Sequence, residues 1–112
     1  MRYIVEGVAA DVAAGKRVAL VGKINDRGEL RSLFTRVLDA VGPDSFERVR
    51  RGSGREQAWH VSGGSLRLLT PETIRGTVAD VVVAIGWNGW SDWERIETLP
   101  ATATGGELLR VG

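Results

Sequence analysis

Two glycine–lysine pairs are the first residues of this 112-residue chain to suggest phosphate chemistry. A phosphate-binding loop needs G-x-x-x-x-G-K-[ST] between a strand and a helix, so that backbone N–H groups and the lysine surround the phosphates. Gly15-Lys16 has Ala10 where the first glycine belongs, is followed by Arg17 and leads into a strand. Gly22-Lys23 has Arg17 at the first position and Ile24 at the last. Both read as structural, a helix cap and a strand-end turn. The single histidine, His60, and the absence of cysteine leave carboxylates as the only other metal ligands. Asp92, Glu94 and Glu97 imitate the acids of a metal-dependent nuclease. No lysine stands near them to complete that set, and their spacing fits the polar surroundings of Trp93. Ser53 lies in a Gly-Ser-Gly hairpin turn, which is not a nucleophile elbow. The expectation is a protein with no catalytic residues, no metal ligands, no cofactor and no enzymatic activity.

Two groups of residues suit binding instead. Arg48, Arg50, Arg51 and Arg55 surround one hairpin, Arg67 falls on the next strand, and Trp59 lies between them. Guanidinium groups on a β-ribbon can track phosphates, and an indole gives bases a stacking face. The competing reading is that edge strands carry charge to discourage aggregation. Trp87, Trp90 and Trp93 share a three-residue spacing that puts them along one side of a helical turn, although Gly89 weakens that helix. They either cover the end of a sheet or form a self-association or partner surface, for which tryptophan is well suited.

Composition bounds these choices. The length fits one domain, residues 1–112. The net charge of +1 gives no global attraction to a polyanion, so nucleic-acid binding would rest on local clusters. The lack of cysteine excludes a disulfide framework and fits a reducing cytoplasm. Glu6 and Asp11 interrupt any signal-peptide core in residues 1–17, and no apolar run approaches bilayer length, so no membrane association is expected.

The elements that must position these groups follow from periodicity. Ile4, Val5, Val8, Ala9 and Val12 form one helical face over residues 3–14, and Gly15 follows as a C-cap. Residues 17–21 are a short apolar strand. Asn25 or Asp26 caps a helix in which Leu30, Leu33, Phe34, Val37, Leu38 and Val41 keep the amphipathic period, and Gly42-Pro43 ends it. Residues 46–51, 56–61 and 65–69 read as strands separated by glycine-rich turns, forming an antiparallel ribbon attached to a main sheet. Thr70-Pro71-Glu72 reads as the start of a one-turn helix, stopped by Gly76. Val81, Val82, Val83 and Ile85 make a strand buried on both faces, and residues 108–111 a short final strand.

Within residues 50–86 the order of Gly63-Gly64-Ser65-Leu66, Arg75-Gly76 and Asp80 through Val83 resembles the ATPase core of phage large terminase subunits and, more loosely, DEAD-like helicases. In that family a strand with a G-G-x-I/L ending leads to R-G-x-x-x-D and an apolar strand ending in Asp-Glu. Here Ile85-Gly86 replaces those magnesium-holding acids, and the family's phosphate loop is missing. Without both, phosphoryl transfer loses its positioning and its charge. The resemblance implies an α/β fold with a small, mainly parallel RecA-like sheet flanked by helices and an appended antiparallel ribbon, a truncated and degenerate core. It further implies a non-enzymatic, phage-encoded accessory protein in the cytoplasm of a bacterial host. The expected activity is self-assembly into a homo-oligomer and binding of DNA or RNA through Arg48, Arg50, Arg51 and Arg55. The alternative is a module that engages a host or phage protein through Trp87, Trp90 and Trp93 and modulates a helicase- or terminase-type motor. A third reading, an ATPase completed by a partner's phosphate loop, has the least support.

Overall fold

The structure, a computed structural model, describes residues 2–52, 56–74, 76–98 and 102–112. In chain order the elements are α1 (Arg2–Ala13), β1 (Arg17–Val21), α2 (Arg27–Val41), β2 (Phe46–Arg50), β3 (Gln57–His60), β4 (Ser65–Leu69), β5 (Ala79–Ile85), α3 (Asp92–Thr98) and β6 (Thr102–Val111). The strands form one six-stranded sheet in the order β2-β3-β4-β1-β5-β6.

This is not the mainly parallel RecA-like sheet with an appended ribbon that the sequence suggests. The sheet is mixed: at one side β3 runs antiparallel to both of its neighbours, β2 and β4. Strand β4 belongs to both halves: it is antiparallel to β3 and parallel to β1, with Arg17 opposite Ser65 and Val21 opposite Leu69. The antiparallel strands are thus continuous with the sheet. The physical reason lies in the connections. Residues 51–56 and 61–64 are too short to carry a crossover, so their flanking strands can pair only antiparallel. The longer connections, through α2, through residues 70–78 and through α3, permit the parallel pairs β4-β1, β1-β5 and β5-β6.

Alternation along β1 divides the core. Val18 and Leu20 face α1 and α2 and pack with Val8, Val12, Leu33, Phe34 and Val37. Ala19 and Val21 face the other way, toward Ile74, Val82, Ala84 and Trp90. Helices α1 and α2 therefore cover one face. Among the described residues, Ile74, Trp87 and Trp90 pack on the centre of the opposite face. Residues 71–73 form a turn and not the expected helix. The Thr73 N–H reaches Thr70 Oγ1 at 3.2 Å, and Ile74 drops at once into the core. Among the described residues, no helix is long and apolar enough to cross a membrane.

Arg17 at the start of β1 is tied to Asp80 at the start of β5. Its backbone N–H lies 2.8 Å from Asp80 Oδ2, and Nη2 lies 3.2 Å from Oδ1. The guanidinium hydrogen bonds first, and the backbone N–H second, hold the Asp80 carboxyl below the usual carboxylate range. A carboxyl depressed in the folded state stabilises it fully above its unfolded value, about 4, and that contribution is lost as pH falls through the lower folded value. Asp80→Asn should therefore flatten the acid limb of the thermal-midpoint curve below about pH 4 and leave its shape near neutrality unchanged. Equal acid limbs in the two proteins would remove Asp80 from acid unfolding.

Candidate nucleic-acid interface

The register of three strands builds the site. Arg48 lies opposite Trp59, and Trp59 opposite Ser65. Two residues along, Arg50 lies opposite Gln57, and Gln57 opposite Arg67. Residues in register share a face, and here it is the face away from α1 and α2. Ala58 and Leu66, on the alternate positions, point into the helix-side core. The two rows lie about 7 Å apart along the strands, and Arg50 stands about 10 Å from Arg67 across them, from ordinary strand geometry.

Arg48 holds its Cζ 5.2 Å from the centroid of the Trp59 ring, a cation–π arrangement. Arg48 and Arg50 are exposed, while Gln57, Trp59, Ser65 and Arg67 are half-buried. Among the described residues, no carboxylate pairs with Arg48, Arg50 or Arg67. Arg17, at the start of β1 on the same face, is neutralised by Asp80. The result is a basic surface with an aromatic ring embedded in it.

The four arginines expected to act together do not stay together. Strand β2 ends at Arg50, and Arg51 turns to the helix side, where Nη1 donates to Thr35 Oγ1 at 3.3 Å and Cζ lies 5.6 Å from the Phe34 ring centroid. Arg55 lies outside the described residues, as does Arg75 of the Arg-Gly pair. Arg67 and Gln57 join the site in place of Arg51. The signal for them is alternation counted across two successive hairpins: the Gly63-Gly64 turn brings residue 67 opposite 57.

The three tryptophans also separate. Trp90 is buried, with Nε1 donating to the Ile85 carbonyl at 3.1 Å and its ring 5.1 Å from that of Trp87. Trp87 is half-buried under the Arg95 guanidinium. Only Trp93 is exposed, on α3 beside exposed Ile96. Trp87 and Trp90 precede α3, so their spacing never becomes a helical stripe.

The groups considered for catalysis have structural partners. The Ser91 N–H donates to Glu94 Oε1 at 2.7 Å, and the Glu94 N–H donates to Ser91 Oγ at 3.2 Å, a reciprocal capping box at the start of α3. The Ser91 backbone N–H is the first cause, with Lys23 contributing, of a Glu94 carboxyl held below its usual range. Lys23 Nζ lies 3.4 Å from it. The Glu97 side chain lies outside the described residues. Among the described residues, no group of three His, Asp or Glu could hold a metal ion. Ser62 Oγ lies 2.8 Å from His60 Nδ1 but also donates to Val12 O and accepts from the Gly64 N–H. That hydroxyl is fully engaged in a turn.

An open α/β sheet receives small ligands at the carboxyl ends of its parallel strands, where the connections part to opposite faces. Here that point lies between β1, which leads to α2, and β4, which leads to residues 70–78. Its cavity, between Gly22, Lys23, Arg27 and Thr70, measures about 20 Å³. That admits a water and not a nucleobase. Gly86, where the family resemblance places an acid, has φ +73° and carries no side chain; a Cβ there would meet Asp26 Oδ2 at 2.7 Å. No protein-family model matches this chain, and no curated protein sequence matches it.

Proposed function

We propose that this protein binds single-stranded nucleic acid across the face of β2, β3 and β4 that the helices leave open, and that it does so without catalysis. One observation supports this reading above the others. Arg48, Arg50 and Arg67, none with an acidic partner among the described residues, share one registered face with Trp59. Single-strand binders combine cations that track the backbone with aromatic rings on which bases stack. A face three strands wide does not suit a B-DNA major groove, which admits a helix or a two-stranded ribbon. Splayed bases suit it better.

Fluorescence anisotropy with short oligo-dT at about 50 and 200 mM salt tests this. Three phosphate contacts on a single strand predict a slope of log K against log salt near −2, a loss of roughly 16-fold between those concentrations. The triple variant Arg48→Ala, Arg50→Ala, Arg67→Ala should lose both binding and slope. Trp59→Ala should weaken binding roughly 5- to 100-fold. Arg51→Ala should change little, because Arg51 lies over α2. Undiminished binding by the triple variant would refute the proposal.

A second reading rests on Trp93 and Ile96, 64% and 58% exposed on the same short helix. It makes α3 a contact for a protein partner or a second copy. Light scattering of the wild type and Trp93→Ala distinguishes them: a dimer lost in the variant assigns α3 to self-association. In either case the cysteine-free chain suits a reducing cytoplasm.

A further inference from the structure

The row Arg50–Gln57–Arg67 borders a cavity of about 310 Å³ that is also lined by Leu69 and Thr73. The next strand across the sheet, β1, places Ala19 opposite Arg67. Ala19 is 1% exposed and shares a buried cluster with Ile74. A chain crossing β2 and β3 along this row therefore meets the packed core beyond Arg67 and goes no further across the sheet. Arg50 and Arg67 pair with no acid among the described residues. Glu56 also borders the cavity, but it is buried and its carboxylate is engaged by Arg31 of α2, with Nε donating to Oε1 at 3.0 Å. The cavity thus presents two guanidinium groups without counter-charge, and the Gln57 amide stands in register between them.

We propose that this cavity holds the phosphorylated end of a single strand, an inference that rests on reading the sheet face as a nucleic-acid interface. A terminal phosphate monoester carries close to two negative charges near pH 7 and three terminal oxygens. An internal diester carries one charge and two such oxygens. Two planar guanidinium forks and an amide N–H match the monoester in both charge and acceptor number. The backbones of Arg50 and Arg67 stand about 10 Å apart, so their long side chains can close on one group above Gln57. A strand end also suits a row that stops at the core, whereas an internal phosphate needs room for the chain on both sides. Trp59, two residues along β3 from Gln57, then stacks a nearby base.

The test is anisotropy at fixed salt with internally labelled oligo-dT of one length, carrying a 5′-phosphate, a 3′-phosphate or hydroxyls at both ends. At least one phosphorylated strand should bind about tenfold tighter than the hydroxyl-ended strand, and the tighter one identifies the end recognised. Arg67→Lys, which keeps the charge but loses the fork, should bring that ratio below about threefold. Arg48→Ala, in the other row, should weaken all three strands and preserve the ratio. Equal, salt-dependent affinity for the three strands would overturn the end subsite and leave the sheet-face reading intact. A preference undiminished in Arg67→Lys would overturn its placement in this cavity. Binding of none of the strands would overturn both readings.

Discussion

Gly64→Ala should destabilise the fold by about 3 kcal/mol or more, lowering the thermal midpoint by roughly 10 °C or more. The backbone of Gly64 is not left-handed; the obstacle is space. A Cβ at this position would overlap the Val12 carbonyl oxygen and come within 3.0 Å of the Lys16 carbonyl oxygen. Both are backbone atoms, so no side chain can move aside to accommodate it. Relief would separate the end of α1 from the β3–β4 turn. That junction carries Ser62 Oγ to Val12 O at 2.8 Å, the Ser65 N–H to Lys16 O at 3.1 Å and the His60 N–H to Gly64 O at 2.9 Å. Gly7→Ala is the control. Gly7 lies within α1 with nothing near its would-be Cβ, so alanine there should stabilise by about 0.5–1 kcal/mol. Equal midpoints for the two variants would refute the steric account. Gly64, which the motif resemblance counts as a signature, is thus required by helix–turn packing.

Trp90→Ala should cost about 3–5 kcal/mol, a large share of the roughly 5–15 kcal/mol that holds a domain of this kind together. The indole is 4% exposed, packs with Val21, Ile74, Val82 and Ala84, and donates to the carbonyl that ends β5. Trp90→Phe keeps most of the volume but removes the N–H donor from Ile85 O, so it should cost about 1–3 kcal/mol. Trp93→Ala should stay within about 0.5 kcal/mol of the wild type, because its ring already faces water. Urea melts of the three variants measure this ordering. A Trp93 effect as large as that of Trp90 would restore the idea of a single three-tryptophan unit.

The contrast between those tryptophans shows which features are legible in a sequence. Leu30, Leu33, Phe34, Val37 and Leu38 are all buried in α2, because a helix repeats its own geometry and needs no distant information. The β-branched run of β5 announces a strand covered on both faces for the same local reason. Pairing is different. Nothing local says that β4 joins β3 on one edge and β1 on the other, so the antiparallel strands read as an appendage. Strand β6 begins six residues before the expected start at Leu108, because Gly105 and Gly106 hide its alternation. At the site, the arginines of β2 are visible at once. What excludes Arg51 is the end of a strand after Arg50, and what recruits Arg67 is the register across a second turn. The Ser91–Glu94 capping box was readable from its S-x-x-E spacing, which accounts for an acid otherwise attributed to metal chemistry.

The position of β1 has a kinetic consequence. It is the fourth strand across the sheet but the first to be synthesised, and its ladder partners begin only at Ser65 on one side and Val81 on the other. Until the chain has grown through β4, a ribosome-bound intermediate keeps Val18, Ala19, Leu20 and Val21 with both edges unpaired, and one edge stays open until β5 follows. Loop closure over such separations is slow, and apolar strands left waiting are prone to associate with one another. Refolding should therefore be slower than for a helical bundle of equal length, and its yield should fall as protein concentration rises.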